Sequence, residues 1–244
     1  METTFEIEWG LFSLIEFIVS SRDKIGTKYK TAIDIGSGEG KHTEILRAAG
    51  LEVFQLDKYS DVAEYQVDFI EHKFDRKFDI IFCSHVIEHQ RNVGNFLDKI
   101  FDIMNDDGLL LISAPKHYAE RLVQGHLNCC FTAYFAQHLI YSGFDLKEGK
   151  YLSCDGIENA AIVPKAKNFD LSERKEDAYN WTNKHQERCF FRLESTVIRN
   201  ELTFFNNCSV VFQAGENFRF LMPENYKGIG IEIDAKRWNF KVSI

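Results

Sequence analysis

The sequence predicts an α/β fold: a doubly wound, mainly parallel Rossmann-like sheet with helices on both faces and a β-rich C-terminal elaboration. First, apolar strand-like segments alternate with amphipathic helix-like segments through most of the chain, which is typical of a sheet covered by helices. Second, a short strand, a glycine-rich loop and a helix follow one another between residues 30 and 49. Third, the segment FDIIFC at residues 78–83 is apolar throughout, as expected for a strand that is buried on both faces of a parallel sheet.

The helices and strands are predicted from the spacing of their apolar residues. Four segments have the i, i+3, i+4 spacing of a helix, at residues 10–21, 41–49, 92–104 and 131–141. Strands are predicted at residues 32–35, 51–56, 64–69, 78–83 and 109–113, and a hairpin at the sheet edge at residues 144–153 and 158–166. Residues 105–108 are predicted to form a turn, and residues 115–130 an irregular segment.

The chain is expected to divide near residue 167. Residues 1–167 are predicted to form the α/β domain, on which the first helix packs as a leading helix. Residues 168–244 begin with a charged, helix-prone segment at 171–186, and short β-like segments follow from residue 201. This second part carries no motif that indicates a function.

Composition and charge exclude several classes of protein. The net charge of −8 does not favour a nonspecific nucleic-acid binder, which needs a basic face. The apolar run at residues 11–19 is interrupted by Glu16 and is shorter than the roughly 20 residues that span a bilayer. No lysine precedes it, as one would in a signal peptide. The six cysteines lack a paired CxxC spacing and are expected to be reduced. The sequence therefore predicts a cytoplasmic protein without a membrane span.

The glycine-rich loop is the centre of the predicted site. Gly36, Gly38 and Gly40 occupy alternate positions after Asp34, and glycines let a ligand lie directly against the backbone. Their spacing differs from the G-x-G-x-x-G of dinucleotide sites, and Lys41 stands where a third small residue would let the helix approach the strand. The loop is therefore not expected to bind a pyrophosphate.

Acidic residues follow two other predicted strands. Asp57 ends the second strand, where a carboxylate can accept two charge-assisted hydrogen bonds from the vicinal hydroxyls of a ribose. Ligands of such sheets lie beyond the carboxyl ends of the strands. We therefore expect Asp34, Asp57, Asp68 and the polar residues at 84–89 to converge.

Five motifs in the order DIGSGEG, LDK, VDF, FDIIFCSHVIEH and GLLLISAP occur between residues 30 and 166. In this order they resemble the class I S-adenosylmethionine-dependent methyltransferases, particularly the broad group that acts on small molecules and saccharides. The resemblance implies S-adenosyl-L-methionine as the methyl donor and S-adenosyl-L-homocysteine as the product.

The resemblance also implies roles for individual residues. The glycine loop would line the methionine portion, Asp57 would bind the ribose hydroxyls, and Asp68 with Phe69 would bind the adenine. Ser84 would face the reacting centre. The predicted cofactor-binding residues are Asp34, Gly36, Ser37, Gly38, Gly40, Asp57, Lys58, Asp68, Phe69 and Ser84.

A histidine is predicted to act as the base. A hydroxyl acceptor must lose a proton, and an imidazole suits this role near neutral pH. His85, His89, His117 and His126 lie in the right part of the sequence. His126 is the first choice because similar enzymes cover the substrate with this irregular segment, and His89 is the second. The alternatives are that His89 caps the next helix and that none of the four is a base.

No metal is predicted, but one alternative involves a metal. His85, Glu88 and His89, with a later histidine, offer an oxygen and several imidazoles to a divalent cation. The segment resembles the metal-binding E-x-x-E-H of small-RNA 2′-O-methyltransferases and some quinone O-methyltransferases, with His85 in place of the first glutamate.

The leading prediction is methyl transfer to a hydroxyl of a small molecule, such as a sugar or a sugar-linked metabolite. The Asn/Asp-Pro-Pro-Tyr motif, by which similar enzymes methylate amino groups of nucleic-acid bases, is absent, since residues 84–87 read SHVI. The first alternative is an RNA 2′-O-methyltransferase with a divalent metal. The second is a non-catalytic cofactor-binding protein whose β-rich tail mediates interactions.

Overall fold

The fold is built around one large mixed sheet. The computed structural model describes residues 4–7, 9–116, 122–146, 148–154, 158–167 and 169–172, and three short strands at 202–205, 230–234 and 239–243. The strands are β1 (Thr4–Ile7), β2 (Thr31–Ile35), β3 (Glu52–Leu56), β4 (Phe78–Ser84), β5 (Met104–Pro115), β6 (Lys150–Cys154), β7 (Glu158–Pro164), β8 (Leu202–Phe205), β9 (Gly230–Asp234) and β10 (Asn239–Ser243). The helices are α1 (Leu11–Ser20), α2 (Lys41–Ala48), α3 (Val93–Ile103) and α4 (Thr132–Tyr141), and Ile87–His89 form a 3₁₀ turn.

The large sheet has the strand order β3-β2-β4-β5-β7-β6-β8. The pairs β2–β3, β2–β4 and β4–β5 are parallel, whereas β7 is antiparallel to β5 and to β6, and β8 is antiparallel to β6. From β2 the chain first adds β3 on one side and later β4 on the other, so the strand order reverses at β2. Such a reversal opens a crevice beyond the carboxyl ends of the two strands that flank it.

Helices cover both faces of this sheet. Residues of α1 and α2 pack with Ile80 and Phe82 in one buried cluster. Residues of α3 and α4 pack with Ile81 and Cys83 in a second cluster on the opposite face. Because successive side chains of β4 point to opposite faces, the strand needs an apolar residue at almost every position. The predicted doubly wound α/β sheet is confirmed.

The four predicted helices are confirmed to within one residue at either end. The start of α3 shows why its boundary is well defined: the Asn95 amide donates to the Asn92 side chain at 3.0 Å, which satisfies an otherwise unpaired amide of the first turn. Among the described residues, no helix has the length and apolar character needed to cross a bilayer.

The strand predicted at residues 64–69 is wrong. The segment is irregular, and Tyr65 forms only an isolated bridge with Leu56. The amide of Gln55 on edge strand β3 donates to the Glu64 carboxylate instead of to a further strand. The alternating apolar residues pack inward: the Tyr65 ring lies against Phe54, with centroids 6.3 Å apart. The alternation therefore reflects packing against the sheet and not strand pairing.

Two other predicted boundaries differ from the structure. The strand predicted at 109–113 lies within the longer β5, and the turn predicted at 105–108 is an irregularity of that strand, where the register shifts between the pairs Phe78–Met104 and Ile80–Leu109. The hairpin strands predicted at 144–153 and 158–166 are shorter: β6 begins at Lys150, β7 ends at Pro164, and Phe144 forms only an isolated bridge with Lys165. Of the predicted turn between these strands, at residues 154–156, Cys154 is the last residue of β6, and the other two residues lie outside the described residues.

Three of the described strands belong to the β-rich C-terminal part. β8 extends the large sheet beside β6, whereas β10 pairs with β1 and β9 in a separate three-stranded sheet. The β-like segments predicted around 202–205 and 229–233 are thus confirmed. The helix predicted at 171–186, apart from its first two residues, and the β-like segments at 209–212 and 218–221 lie outside the described residues, and the domain boundary near 167 stays a prediction.

Candidate active site

A cleft of about 760 Å³ opens at the carboxyl ends of β2, β3 and β4. Its walls come from residues 35–36, 56–59 and 67–71, and from side chains between residues 85 and 95. This volume is in the range of small-molecule sites. The cleft therefore lies at the point where the strand order reverses.

Five of the ten predicted cofactor residues line this cleft, namely Gly36, Asp57, Lys58, Asp68 and Phe69. The other five lie outside its wall, as far as the described residues define it: Asp34, Ser37, Gly38, Gly40 and Ser84. Sequence reasoning missed Tyr59 and Glu71 in the wall, and also four polar side chains farther along the chain, namely Gln90, Arg91, Asn92 and Asn95. These four residues lie between the 3₁₀ turn and the first turn of α3, where polar residues are expected as helix caps, so their polarity did not by itself indicate a binding site.

Two glycines of the loop occupy left-handed, crowded positions that disfavour any residue with a side chain. Gly36 has φ +75°, and a Cβ atom there would lie 2.2 Å from Cγ2 of Val86. Gly40, which precedes α2, has φ +80°, and its Cβ would lie 2.0 Å from Nε2 of Gln55. The left-handed backbone and the close neighbours both favour glycine, and of the two glycines Gly36 lines the cleft.

Asp57 joins the glycine loop to the end of β3. One carboxylate oxygen accepts a hydrogen bond from the Gly38 amide at 3.0 Å. The other accepts from the amides of Tyr59 and Ser60 at 2.7 and 3.0 Å. A carboxylate offers roughly four acceptor positions, so these three bonds leave capacity for a further donor in the cleft.

Asp34 lies behind the loop. Its side chain is 1% exposed, and the Thr43 hydroxyl donates to one of its oxygens at 2.7 Å. Burial raises the pKa of Asp34 to about 7, the hydrogen bond from Thr43 opposes this, and the charge of Asp57 adds to it. Asp34 therefore connects the end of β2 to the first turn of α2.

Lys58 and Asp68 face each other across the cleft wall. The Lys58 ammonium lies 3.0 Å from a carboxylate oxygen of Asp68, whose other oxygen accepts from the Ile70 amide at 2.8 Å. The hydrogen bond from Lys58 is the main cause that lowers the pKa of Asp68. Next to this pair, the buried Phe69 ring packs edge-to-face on Phe96 at a centroid distance of 5.2 Å.

His85 lies directly after β4 in an unusual backbone conformation. Its φ of +54° is the only positive value of a non-glycine residue in the described chain, and such residues often belong to functional sites. Its Nε2 lies 3.0 Å from a carboxylate oxygen of Glu158, which also accepts from the Gly10 amide at 3.0 Å. Sequence reasoning missed Glu158. The sequence feature that could have indicated it is a charged residue at the start of the otherwise mainly apolar predicted strand 158–166.

The 3₁₀ turn brings the two predicted catalytic histidines together. One ligand-capable atom from each of Glu88, His89 and His126 lies within 4.8 Å of the others, and the two imidazole rings meet edge-to-face at 4.8 Å. His85 approaches the group, with Nδ1 3.6 Å from Oε1 of Glu88, whereas His117 lies outside the described residues. His89 also lines the cleft.

Ser84 ends β4 and its side chain is hydrogen-bonded to the neighbouring strand. The Ser113 hydroxyl donates to the Ser84 hydroxyl at 3.0 Å, which connects the ends of β4 and β5. A Cβ atom on Gly10 would lie 2.3 Å from Oγ of Ser84. In this structure the Ser84 side chain therefore contacts the segment before α1.

The comparisons with known proteins agree with this architecture. A family described as a methyltransferase domain matches residues 12–149. No curated protein sequence matches the chain significantly. The structure of Burkholderia thailandensis 1,6-didemethyltoxoflavin-N1-methyltransferase with 1,6-didemethyltoxoflavin and S-adenosylhomocysteine is similar over 66% of this chain and 80% of that chain, with 14% identity and a TM-score of 0.52.

Two further solved structures are similar at low sequence identity. The plantazolicin methyltransferase BpumL, in complex with a pentazolic desmethylPZN analog and S-adenosylhomocysteine, is similar over 65% of this chain and 85% of that chain, with 12% identity and a TM-score of 0.51. The mitomycin 7-O-methyltransferase MmcR has 22% identity and a TM-score of 0.47 over 63% of this chain, which spans only 54% of that protein.

These structural similarities concern the fold, whereas the family match concerns the sequence. The match covers more than half of the 244 residues and includes the glycine loop, the Asp57 turn and the histidine group. The chain belongs to this methyltransferase domain family and is a class I S-adenosylmethionine-dependent methyltransferase.

Proposed function

We propose that this enzyme transfers the methyl group of S-adenosyl-L-methionine to a hydroxyl of a small molecule, such as a sugar or a sugar-linked metabolite. The observation that carries the proposal is the position of His89 and His126. Their rings meet at 4.8 Å, and His89 lines the cleft in which the donor is expected. An imidazole at the cleft wall, with a second imidazole in contact with it, supports the proposal that a histidine takes the proton of a hydroxyl acceptor.

The donor is proposed to lie along the carboxyl ends of β2 and β3. The backbone of Gly36 would face its methionine portion, and the remaining acceptor capacity of Asp57 would take a ribose hydroxyl. The Lys58–Asp68 pair and the Phe69 ring would border the adenine. This arrangement is supported by the presence of these five residues in one cleft wall.

For methyl transfer to a hydroxyl, the protein must position the acceptor relative to the donor and supply a base. The sulfonium is already an activated donor, so the enzyme must hold the acceptor oxygen in line with the methyl group and keep bulk water out. As the methyl group moves, the oxygen loses its proton to an imidazole. His126, which is half-buried, is the proposed base. His89 is the second choice. Its Nδ1 lies 3.0 Å from the Gly125 carbonyl oxygen, and if Nδ1 carries the proton and donates it to this oxygen, Nε2 can accept the proton of the substrate hydroxyl.

The polar character of the cleft supports a hydroxylated acceptor. Gln90, Arg91, Asn92 and Asn95 line it, and their amide and guanidinium groups can hydrogen-bond to hydroxyls. The net charge of −8 disfavours a polyanionic acceptor. A small polyhydroxylated molecule therefore fits this wall better than a nucleic acid does.

Two measurements test the proposal. Calorimetry should detect binding of S-adenosylmethionine, and a screen of sugars, sugar phosphates and sugar nucleotides should identify an acceptor by release of S-adenosylhomocysteine. With that acceptor, His126→Ala should lower kcat by about 10²- to 10⁴-fold, the usual contribution of a general base, and should leave donor affinity unchanged. His138→Ala, at an exposed histidine of α4, is the control and should retain wild-type turnover.

Two outcomes would contradict the proposal. Unchanged turnover in the His126 variant would exclude His126 as the base and direct attention to His89. No detectable donor binding at millimolar concentration would exclude the enzyme and favour the non-catalytic alternative.

One observation favours the metal-dependent RNA 2′-O-methyltransferase as a second candidate, namely the convergence of Glu88 with His89 and His126. RNA binding that weakens steeply with salt would support this candidate, and methylation of free sugars without RNA binding would exclude it.

A further inference from the structure

One wall of the cleft, at residues 67–71, is irregular backbone, and a lysine of α3 supports it from outside the cleft. We propose that Lys99 is a positioning residue of the donor site, whose ammonium group holds the segment at residues 68–74 in the conformation that binds the adenosine part of S-adenosylmethionine. The inference rests on the proposed position of the donor and adds to it the residue that shapes the adenine side.

The segment at residues 68–74 depends on donors other than a neighbouring strand, because it belongs to no helix or strand. Backbone carbonyl oxygens outside a sheet need such donors. The ammonium of Lys99 donates to the carbonyl oxygen of Ile70 at 2.7 Å and also to that of His72. Hydrogen bonds from a charged donor are stronger than those from a neutral one, so Lys99 replaces the donors that a neighbouring strand would supply.

The same ammonium lies over two aromatic rings of the segment. Its nitrogen is 5.2 Å from the ring centroid of Phe69 and 5.7 Å from that of Phe74, distances at which a cation is attracted to an aromatic ring. Phe69 is buried and lines the cleft. Lys99 therefore fixes both the backbone at Ile70 and the ring that is proposed to border the adenine.

Asp68 holds the same two residues from their amide side. Its carboxylate accepts a hydrogen bond from the Ile70 amide at 2.8 Å, and its carbonyl oxygen accepts one from the His72 amide at 3.0 Å. Burial lowers the pKa of Lys99, and the charge of Asp68 opposes this. Ile70 and His72 are thus bonded at the amide by Asp68 and at the carbonyl by Lys99, so neither peptide group can rotate without breaking a hydrogen bond.

Helix α3 places Lys99 one turn away from the cleft. Asn95 lines the cleft, and Lys99 follows it by four residues, which puts both on one face of the helix. Between them, the Phe96 ring packs on Phe69 at a centroid distance of 5.2 Å. As far as the described residues define the wall, Lys99 is not part of it. Lys99 therefore acts on the donor through the segment and not by contact.

These contacts determine which variants separate the role of the ammonium from that of the side-chain stem. Methionine keeps a long apolar stem but has no donor, whereas arginine keeps the positive charge and several N–H donors. Lys28 offers a matched control, because it is exposed and its ammonium also lies over an aromatic ring, 5.1 Å from the centroid of Tyr29.

The test is calorimetric titration of the full chain with S-adenosylhomocysteine and with 5′-methylthioadenosine, which has the adenosine part but lacks the amino acid. Lys99→Met should weaken the binding of both ligands by the same factor, about 10-fold or more, which corresponds to loss of one hydrogen bond to a charged group. Lys99→Arg should retain most of the affinity, and Lys28→Met should bind both ligands as the wild type does.

Hydrogen exchange distinguishes a positioning role from a merely structural one. In Lys99→Met the amides of residues 69–74 should exchange faster than in the wild type, whereas those of β2 and β4 should exchange at the wild-type rate. If Lys99→Met does not fold, Lys99→Gln, which keeps a neutral donor, replaces it with the same expected direction of change.

The outcomes separate this inference from the proposed function. Equal affinity of the wild type and a folded Lys99→Met variant would overturn the inference and leave the donor site in place. A loss confined to S-adenosylhomocysteine would overturn it as well, because the segment would then not act on the adenosine part. Faster exchange throughout the sheet would replace the positioning role by general destabilisation. Failure of the wild type to bind S-adenosylhomocysteine would instead refute the proposed donor site, and the inference with it.

Discussion

Replacement of Asp57 by alanine tests the geometry of the donor site most directly. In the structure its carboxylate accepts three backbone hydrogen bonds, from Gly38, Tyr59 and Ser60, and retains acceptor capacity toward the cleft. A hydrogen bond to a charged group contributes about 1.5 to 3 kcal/mol. Loss of the bond to the ribose, together with loss of the bond that holds the glycine loop, should weaken donor binding by about 1 to 3 kcal/mol. This corresponds to a dissociation constant raised by roughly 5- to 150-fold.

Calorimetric titration with S-adenosylmethionine and S-adenosylhomocysteine measures this loss, and circular dichroism verifies that the variants are folded. Asp57→Asn should also weaken binding, because an amide can accept hydrogen bonds at only one of the two positions. Asp61→Ala is the matched control, since Asp61 is an exposed acid of the same loop. Wild-type affinity in both Asp57 variants would refute the assignment of this carboxylate to the donor.

Two further predictions concern the strand–loop unit. The pKa of Asp34 is about 7 in the folded chain and near 3.9 in the unfolded chain, so the unfolded chain ionises first and stability falls as the pH rises from about 4 to 7. The difference in the free energy of unfolding between Asp34→Asn and the wild type should therefore shift by about 3 kcal/mol in favour of the variant when the pH is raised from 5 to 8. Urea unfolding measures both proteins at both pH values, and the same difference at pH 5 and pH 8 would contradict this prediction. Gly36→Ala should lower the free energy of unfolding by about 1 to 2 kcal/mol through its left-handed backbone and weaken donor binding by displacing Val86. Gly38→Ala, where a Cβ meets nothing within 4 Å, should affect donor binding less, and equal effects would exclude the contact with Val86 as the cause.

The sequence predicts the helices and central strands well because the spacing of their apolar residues follows directly from which faces are buried. Each helix presents one apolar stripe to the sheet, and β4 is apolar on both faces because helices cover both. The segment at 64–69 shows the limit of this reasoning. Its alternating apolar residues pack against the sheet, while the side chain of Glu64 takes the edge amide that a neighbouring strand would have used. The alternation of apolar residues in a sequence indicates which side chains are buried, but it does not indicate whether the backbone pairs with a neighbouring strand.

The candidate site could be predicted from the sequence only in part. Gly36 and Asp57 follow β2 and β3, so their position at the carboxyl edge follows from the topology. Asp68 lies in the irregular segment at 64–69, so its position does not follow from a strand. The approach of His126 to Glu88 depends on two backbone hydrogen bonds between segments that are far apart in the sequence, and no local pattern encodes these. The same holds for the wall residues between 90 and 95, whose side-chain directions are set by the 3₁₀ turn before α3.

The antiparallel direction of β7 has a consequence for the order in which the site assembles. Because β7 runs opposite to β5, its first residue, Glu158, reaches the edge where the parallel strands end. There it contacts His85 and Gly10, which lie 73 and 148 residues away in the sequence. Contacts between residues so distant form late, since long loops must close first. A chain emerging from the ribosome can thus complete its glycine loop well before the carboxylate that contacts His85 is in place.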